Sequence, residues 1–220
     1  MDTLNYILDN LIPIEYFTPG SILQDNMPVE IPNINRDMFA DLLKELGYKI
    51  GVEIGVESGL YSDVLLKANP NLTLYSVDPW KSYRAYRDHT SQEKLDRFYE
   101  ETKAILAPYG DRSKIVRKSS MEAVNDFADN SLDFVYIDGN HAFMYVAEDI
   151  HMWLKKIRPG GIISGHDYKK HKEGVNIHVK QVVQGFTDAY YIKPWFVLGR
   201  SAKVEGEIRD GSRSWFWVKK

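Results

Sequence analysis

The sequence predicts an α/β fold built on a mostly parallel β-sheet. Short apolar runs recur along the chain, segments with helical spacing of apolar residues follow them, and turn residues separate the two kinds of segment. Such alternation is typical of βαβ units, in which helices supply the right-handed crossovers between parallel strands. We expect strands at residues 49–54, 72–77, 114–117, 132–137 and 161–165.

The other elements follow from the same patterns. Apolar residues recur at helical spacing before the turn Arg158-Pro159-Gly160-Gly161, which ends a helix and leads into a strand. Aromatic, strand-like runs at 190–198 and 214–218, separated by a stretch with three glycines, predict a terminal hairpin. Helices are predicted at 37–46, 62–68, 91–107, 120–127 and 142–157.

Residues 1–35 are predicted to be an N-terminal extension or lid, and residues 36–220 the main domain. Four prolines are spread among the apolar residues of the first segment, which argues against an independent domain there. We expect this segment to cover the cofactor or the substrate.

Composition narrows the class of protein. A chain of 220 residues with 44% hydrophobic content is long enough for one domain with a substantial core. Its 28 basic and 31 acidic residues give a net charge of −3, so a nucleic-acid partner is unsupported. The absence of cysteine excludes disulfides and cysteine metal sites. With no targeting signal or membrane-length apolar run, we expect a cytoplasmic protein without a membrane partner, and homo-oligomer formation stays open.

A glycine turn and an acidic strand end indicate the ligand class. Residues 52–60 read as a strand, a turn with Gly55 and Gly59, and the start of a helix, and the next strand ends in Asp78. Glycine lets the backbone approach a bound group closely, and a carboxylate at that strand end can accept both hydroxyls of a ribose. The pattern predicts a cofactor that contains adenosine.

The spacing of this turn distinguishes between adenosine cofactors. A dinucleotide fingerprint needs Gly-x-Gly-x-x-Gly, whereas this turn is wider and carries Glu53 and Glu57. These acids would repel a pyrophosphate but suit the amino group and sulfonium of S-adenosylmethionine. In the alternative interpretation, Glu53 is a solvated charge at a strand end and the glycines only shape the turn.

Five motifs in order carry a family resemblance: E-x-G-x-x-x-G from Glu53, Asp78-Pro-Trp, Tyr136-Ile-Asp-Gly-Asn-His, Pro159-Gly-Gly and Gly165-His-Asp-Tyr. With them, the chain from about Gly51 onwards resembles class I S-adenosylmethionine-dependent methyltransferases. It is similar in particular to small-molecule and sugar O-methyltransferases with DGxH and GHDY motifs, the macrocin O-methyltransferase-like and cephalosporin-methoxylation-protein-like group. The resemblance implies a Rossmann-like seven-stranded sheet, mostly parallel, with a C-terminal antiparallel hairpin.

The resemblance also implies cofactor contacts. The methionine part would lie among Glu53, Gly55 and Gly59, the ribose would bind Asp78, and the adenine would lie near Ser120 and Met121. Trp80 would stack on the adenine, line the mouth of the pocket, or simply pack under a lid. The complete set of expected cofactor-binding residues is Glu53, Gly55, Gly59, Asp78, Trp80, Ser119, Ser120, Met121 and Asp138. Ser119 stands where relatives often have an acid.

A second group of residues follows the later strands. Because active sites of open parallel sheets lie beyond the carboxyl ends of the strands, Asp138, His166 and Asp167 should converge. Such ligands can hold a divalent cation, and the carboxylates favour magnesium or manganese. In the alternative interpretation, His166 is a hydrogen-bonded loop residue and Asp138 faces the cofactor or caps a helix.

The expected chemistry is methyl transfer to a small hydroxylated acceptor, a sugar or another metabolite. His141, three residues after Asp138, is the predicted general base, as the resemblance to metal-dependent sugar methyltransferases also implies. The aromatic and basic run 79–87 is expected to lie in a loop over the site, where it would either stack on the acceptor or form a lid that closes on the cofactor. The alternatives are a catalytically silent S-adenosylmethionine-binding or assembly module and a nicotinamide-dependent oxidoreductase, although the latter lacks its glycine spacing.

Overall fold

The computed structural model describes residues 2–12, 27–83, 91–171, 175–201 and 203–220. Its strands are β1 (Val29–Ile31), β2 (Ile50–Ile54), β3 (Thr73–Val77), β4 (Ser113–Val116), β5 (Leu132–Ile137), β6 (Ile157–Gly165), β7 (Phe196–Leu198) and β8 (Trp215–Val218). Its α-helices are α1 (Thr3–Leu11), α2 (Arg36–Glu45), α3 (Leu60–Ala68), α4 (Gln92–Leu106), α5 (Ser120–Ala123), α6 (Phe143–Lys156) and α7 (Val179–Ala189). Over these ranges, we find no helix with the length and apolar character that crossing a membrane requires.

The strands form one mixed sheet in the order β1-β7-β8-β6-β5-β2-β3-β4. Strand β8 runs antiparallel to both of its neighbours, and all other neighbouring strands are parallel. The predicted Rossmann-like sheet with an antiparallel C-terminal hairpin is therefore confirmed. The sheet has eight strands instead of the expected seven, because β1 adds to the edge at β7.

The N-terminal segment supplies this additional strand. The three residues of β1 lie between Pro28 and Pro32, and so short a run between prolines carries no strand pattern that sequence reasoning can detect. Helix α1 packs near the start of β6, where the Thr3 hydroxyl donates to the carbonyl oxygen of Gly160 at 2.7 Å. Residues 2–12 thus lie at the edge of the sheet opposite the carboxyl ends of the parallel strands, so the expected lid is not found there.

The rest of the predicted lid, residues 13–26, lies outside the described residues. The division of the chain at residue 35 stays a prediction.

Helix α7 is the main element that the sequence analysis missed. Its buried residues are Val179, Val182, Val183 and Thr187. These β-branched residues favour strands by propensity, but their spacing of three and four places them on one side of a helix. The first strand of the terminal hairpin is correspondingly short, since β7 begins only at Phe196.

Two hydrophobic cores lie on the two faces of the sheet. Along β5, Phe134 belongs to the core that contains residues of α2 and α3, and Val135 belongs to the core that contains residues of α6 and α7. Successive side chains of a strand point to opposite faces, so a strand buried on both sides is apolar throughout. The helices cover the faces and leave the carboxyl ends of the parallel strands free to carry polar residues.

Candidate active site

Backbone pairing continues one residue beyond the strands and aligns the polar residues at their ends. The amides of Gly55, Asp78, Asp138 and His166 each donate to a carbonyl oxygen of the neighbouring strand, over 2.7 to 3.2 Å. These residues follow β2, β3, β5 and β6, which are neighbours or near neighbours in the sheet. The predicted site residues from distant parts of the sequence therefore meet at one edge.

Two glycines shape the turn after β2. Gly55 has φ +84°, and a side chain there would clash with the carbonyl group of Asp138. Gly59 has φ +85° at the residue before α3, where Thr102 of α4 packs closely against it. Only glycine combines this backbone conformation with such close approach. The turn is thereby pressed against the end of β5.

A cavity of about 420 Å³ opens over the ends of β2, β3 and β4. Its size lies within the range of small-molecule sites. Five of the predicted cofactor residues line it: Gly55, Asp78, Ser119, Ser120 and Met121. The other wall residues are Ile54, Glu57, Val77, Pro79, Lys81, Tyr83, Leu95, Glu122, Gly139, Asn140, Tyr145, Glu148 and Asp149.

Asp78 stabilises the turn through hydrogen bonds and also lines the cavity. Its carboxylate accepts hydrogen bonds from the backbone amides of Val56 at 3.0 Å, Glu57 at 3.2 Å and Trp80 at 2.7 Å. Burial raises the pKa of this carboxyl above its ordinary value, against the effect of these three amides. Because each carboxylate oxygen can accept more than one hydrogen bond, Asp78 can still receive ribose hydroxyls from the cavity.

Glu53 lies beneath the turn rather than on the cavity wall. The side chain is 1% exposed, and its carboxylate accepts a hydrogen bond from the Ser62 hydroxyl. Burial raises the pKa of Glu53 to about 8. A solvated strand-end charge is excluded by this burial. The side chain does not line the cavity, and its expected contact with the methionine part of a cofactor stays a prediction.

Trp80 is also placed away from the cavity wall. The side chain is fully buried, its Nε1 donates to the carbonyl oxygen of Glu57 at 2.7 Å, and its ring centroid lies 5.0 Å from that of Tyr99. The indole therefore supports the turn from below, in the packing position that was the alternative to stacking on adenine.

The ends of β5 and β6 hold the second group, Asp138, His141, His166 and Asp167, which we call the acid–histidine cluster. The Nε2 atom of His141 lies 3.1 Å from Oδ2 of Asp167 and 3.7 Å from Oδ1 of Asp138. His166 is more peripheral, with Nδ1 at 3.6 Å and 3.8 Å from the same two oxygens. Asp138, His141 and Asp167 offer ligand atoms within 4.8 Å of one another, so His141 joins the carboxylates more closely than the predicted His166.

Two basic residues that the sequence analysis did not select pair with these carboxylates. Arg36 donates from Nη1 to Oδ2 of Asp138 at 3.0 Å, and its guanidinium carbon lies 3.9 Å from the ring centroid of Tyr61. The Nζ atom of Lys169 lies 2.7 Å from Oδ1 of Asp167. Arg36 is 102 positions from Asp138, and no local pattern in the sequence connects the two residues.

The pairing sets the protonation of the cluster. Burial acts to lower the pKa of His141, but its hydrogen bonds with Asp138 and Asp167 raise this pKa to about 10. Burial acts to raise the pKa of both carboxyls, and their bonds with His141 and the nearby cations hold both pKa values below the ordinary range. At neutral pH, the resting cluster therefore contains an imidazolium between two carboxylates.

Tyr83, Asn140 and Tyr145 line one part of the cavity. Asn140 donates from Nδ2 to the Tyr83 hydroxyl at 3.0 Å, and the ring centroids of Tyr83 and Tyr145 lie 6.1 Å apart. The aromatic and basic run predicted over the site is described only up to Tyr83, and its residues 84–87 lie outside the described residues.

The fold is Rossmann-like, and the cavity lies at the carboxyl ends of parallel strands, where open sheets of this kind bind their ligands. A family model described as "Methyltransferase domain" matches residues 52–168, more than half of the chain. The chain belongs to this methyltransferase family. Membership confirms the predicted class, an S-adenosylmethionine-dependent methyltransferase, and the match covers the glycine turn, Asp78 and the acid–histidine cluster.

Solved structures share the fold over most of the chain. An O-methyltransferase from Bacillus cereus in complex with SAH has a TM-score of 0.59 at 15% identity. The superposition covers 98% of this chain and 96% of that enzyme. The O-methyltransferase TomG from Streptomyces achromogenes, in complex with SAM, has a TM-score of 0.56 at 16% identity and covers 84% and 79%. Spermidine synthase from Thermotoga maritima has a TM-score of 0.53 at 14% identity and covers 84% and 60%.

A curated protein of Sinorhizobium fredii, "Uncharacterized protein y4gI", is 26% identical over 103 residues. The match spans 47% of this chain but only 11% of that protein.

Proposed function

We propose that the protein transfers the methyl group of S-adenosylmethionine to a hydroxyl group of a small acceptor, a sugar or another hydroxylated metabolite. The observation that carries this proposal is the position of the acid–histidine cluster. Gly139 and Asn140, which directly follow Asp138, line the cofactor cavity. A methyl group at this end of the cavity would face His141 and the two carboxylates.

Methyl transfer from a sulfonium needs alignment and a deprotonated acceptor more than it needs covalent help. In the cluster, two carboxylates face three cationic groups: Arg36, Lys169 and protonated His141. This excess of positive charge favours an acceptor oxygen that has lost its proton. His141 serves as the general base after it has released its own proton to solvent. The neutral imidazole then takes the hydroxyl proton of the acceptor, whose oxygen bonds to the methyl group as S-adenosylhomocysteine leaves, and Asp138 and Asp167 hold the ring in place.

The cluster has suitable ligands for a divalent cation, although some of their oxygens are already paired with basic residues. Asp138, Asp167 and one of the two histidines would hold magnesium or manganese through the carboxylate oxygens that face His141. When bound, the ion would stabilise the negative charge of the acceptor oxygen as a Lewis acid. Arg36 and Lys169 already pair with the other oxygen of each carboxylate, so we expect the cation to bind weakly.

A catalytically silent binding module is the second candidate, because the cavity alone would explain cofactor binding. The cluster favours an enzyme, since a binding module has no need of an imidazole between two carboxylates next to the methyl position. A nicotinamide-dependent oxidoreductase is disfavoured by Glu57, an acid that lines the cavity at the glycine turn.

The proposal is tested by incubating the protein with methyl-labelled S-adenosylmethionine and a panel of sugars, catechols and small hydroxylated metabolites. We expect label transfer to at least one hydroxyl compound, and loss of this transfer in His141→Gln. A protein that binds the cofactor but labels no member of a broad panel would favour the silent module.

The contribution of a cation is measured in the same reactions with and without a chelator, and by the melting temperature of the cofactor complex. We expect magnesium or manganese to raise this melting temperature at millimolar concentration, because an ion that binds only the folded state stabilises it. If the chelator changes neither the rate nor the melting temperature, the cluster acts without a metal.

A further inference from the structure

Asp149 is a buried carboxylate on the cavity wall that takes no part in the proposed methyl transfer. Asp149 of α6 is 4% exposed, and it lines the cavity together with Ser120 at the start of α5. It lies on the buried face of its helix with Val146, Ile150 and Trp153. A charged residue on an apolar helix face requires a partner, because burying an unpaired carboxylate is costly.

The partners of Asp149 in the described part of the chain satisfy only one of its two oxygens. Trp153 donates from Nε1 to the Ser120 hydroxyl oxygen at 2.7 Å, and Ser120 donates its one hydrogen to Oδ1 of Asp149. No described residue donates to the second oxygen, and no described basic side chain forms an ion pair with this carboxylate. Burial raises the pKa of Asp149 to about 7, as expected for a carboxyl without a cationic partner.

The place of Asp149 in the cavity indicates what its second oxygen would meet. Asp78, at the end of β3, marks the ribose, and the acid–histidine cluster at the ends of β5 and β6 marks the methyl group. The base must then extend in the other direction, toward the end of β4, where Ser120 and Asp149 lie. Apolar side chains provide the faces for a flat ring at this end: Val77, Leu95 and Met121.

We infer that Asp149 recognises the 6-amino group of adenine, accepting its N–H through the oxygen that Ser120 leaves free. This inference rests on the proposed cofactor site. It supplies the acid that is missing at Ser119: the carboxylate comes from α6, across the cavity, instead of from the end of β4. It also explains why Ser120 and Trp153 form a hydrogen-bonded chain behind Asp149, since that chain fixes the orientation of the carboxylate.

The inference makes Asp149 a specificity-determining residue. A purine with oxygen in place of the 6-amino group would present an acceptor to the carboxylate, and two acceptors repel each other. A site built to bind an N–H group discriminates strongly against a ligand that lacks it, because its own polar group is left unpaired. The wild-type protein should therefore distinguish an adenosine ligand from the otherwise identical inosine ligand.

The test is calorimetric titration with S-adenosylhomocysteine and S-inosylhomocysteine. We expect the wild type to bind the adenosine compound about 10- to 100-fold more tightly, the range of one hydrogen bond to a charged group. In Asp149→Asn, the amide keeps the bond from Ser120 and can donate to the 6-oxygen of the inosine compound, so the ratio should fall below about threefold or invert. Glu93→Gln, which removes an exposed carboxylate that does not line the cavity, should keep the wild-type ratio.

Two results would overturn the inference while leaving the cofactor site intact. Equal binding of the two compounds by the wild type would show that the 6-amino group is not recognised, and this result does not depend on any variant folding. Retention of the wild-type ratio in Asp149→Asn, or its loss in Glu93→Gln, would show that Asp149 does not recognise the 6-amino group. If the wild type bound neither compound, the proposed cofactor site itself would be wrong, and the inference would fall with it.

Discussion

The cofactor cavity and the acid–histidine cluster are neighbours, but they handle their carboxylates in opposite ways. In the cavity, Asp78 and Asp149 accept hydrogen bonds from neutral donors, and burial raises both pKa values. In the cluster, Asp138 and Asp167 pair with cations, and both pKa values are lowered. The cavity thus offers acceptor oxygens that can receive the N–H and O–H groups of a ligand, whereas the cluster already pairs its two carboxylates with an excess of cationic groups.

Replacing His141 of the cluster should have the largest effect of the changes considered, because it should lower turnover without changing the affinity of the cavity for the cofactor. We expect His141→Gln to lower kcat by about 10²- to 10⁴-fold, the usual contribution of a general base. Affinity for S-adenosylhomocysteine should stay within about twofold, because His141 does not line the cavity. The measurements are initial rates with an identified acceptor and calorimetric titration.

His151→Gln, an exposed change on α6, is the control for this variant. Wild-type turnover by His141→Gln between pH 6 and 9 would show that deprotonation depends on another group, such as His166 or solvent.

The carboxyl beneath the glycine turn should make stability depend on pH. Folded Glu53 keeps its proton up to pH about 8, whereas the unfolded chain loses it near the ordinary value of 4.5. The free energy of unfolding should therefore fall as the pH rises from 4.5 to 8. At pH 7, this effect amounts to about 3 kcal/mol.

Glu53→Gln cannot titrate, and it keeps an acceptor oxygen for Ser62. The stability of this variant relative to wild type should increase between pH 5 and pH 8, as measured by urea unfolding of the ligand-free proteins. Glu205→Gln, at an exposed position, is the control. A constant difference across this pH range would contradict the burial of a protonated Glu53.

The ion pair of Arg36 tests whether the cluster is held together by its internal cations. We expect Arg36→Met to reduce the free energy of unfolding by about 2 kcal/mol, because Asp138 loses a charged donor. Combining it with Asp138→Asn should recover part of this loss, since the remaining partner is then neutral. Arg97→Met is a matched control, because its pair with Glu101 is exposed and should contribute little. Additive effects of the two cluster changes would mean that the pair is not coupled.

The sequence predicts most of this fold because most of its parallel strands are rich in apolar residues and are followed by recognisable turns. It does not predict β1, whose three residues form a strand only because β7 offers a free edge. Helix α7 was missed because valines on its buried face resemble a strand when their spacing is overlooked.

The position of a residue at the cavity is predictable where it depends on a glycine turn or a strand end, as for Gly55 and Asp78. Glu53 and Trp80 were expected to contact the cofactor, but their orientation depends on packing beneath the turn, which the motif does not specify. Arg36 and Asp149 depend on contacts across the fold. For Asp149 a signal existed, because it is the one acid among Val146, Ile150 and Trp153 on an apolar helix face.

The most direct test of the central claim is calorimetric titration of the wild type and Asp78→Asn with S-adenosylmethionine, and of the wild type with NAD. We predict a Kd in roughly the micromolar range for the wild type, corresponding to about −8 kcal/mol. Asp78→Asn should bind about 10- to 100-fold more weakly, because the ribose hydroxyls lose a charged acceptor. NAD should give no binding heat. Binding of NAD by a wild type that ignores S-adenosylmethionine would contradict the cofactor assignment, and equal affinity of both variants would remove Asp78 from the site.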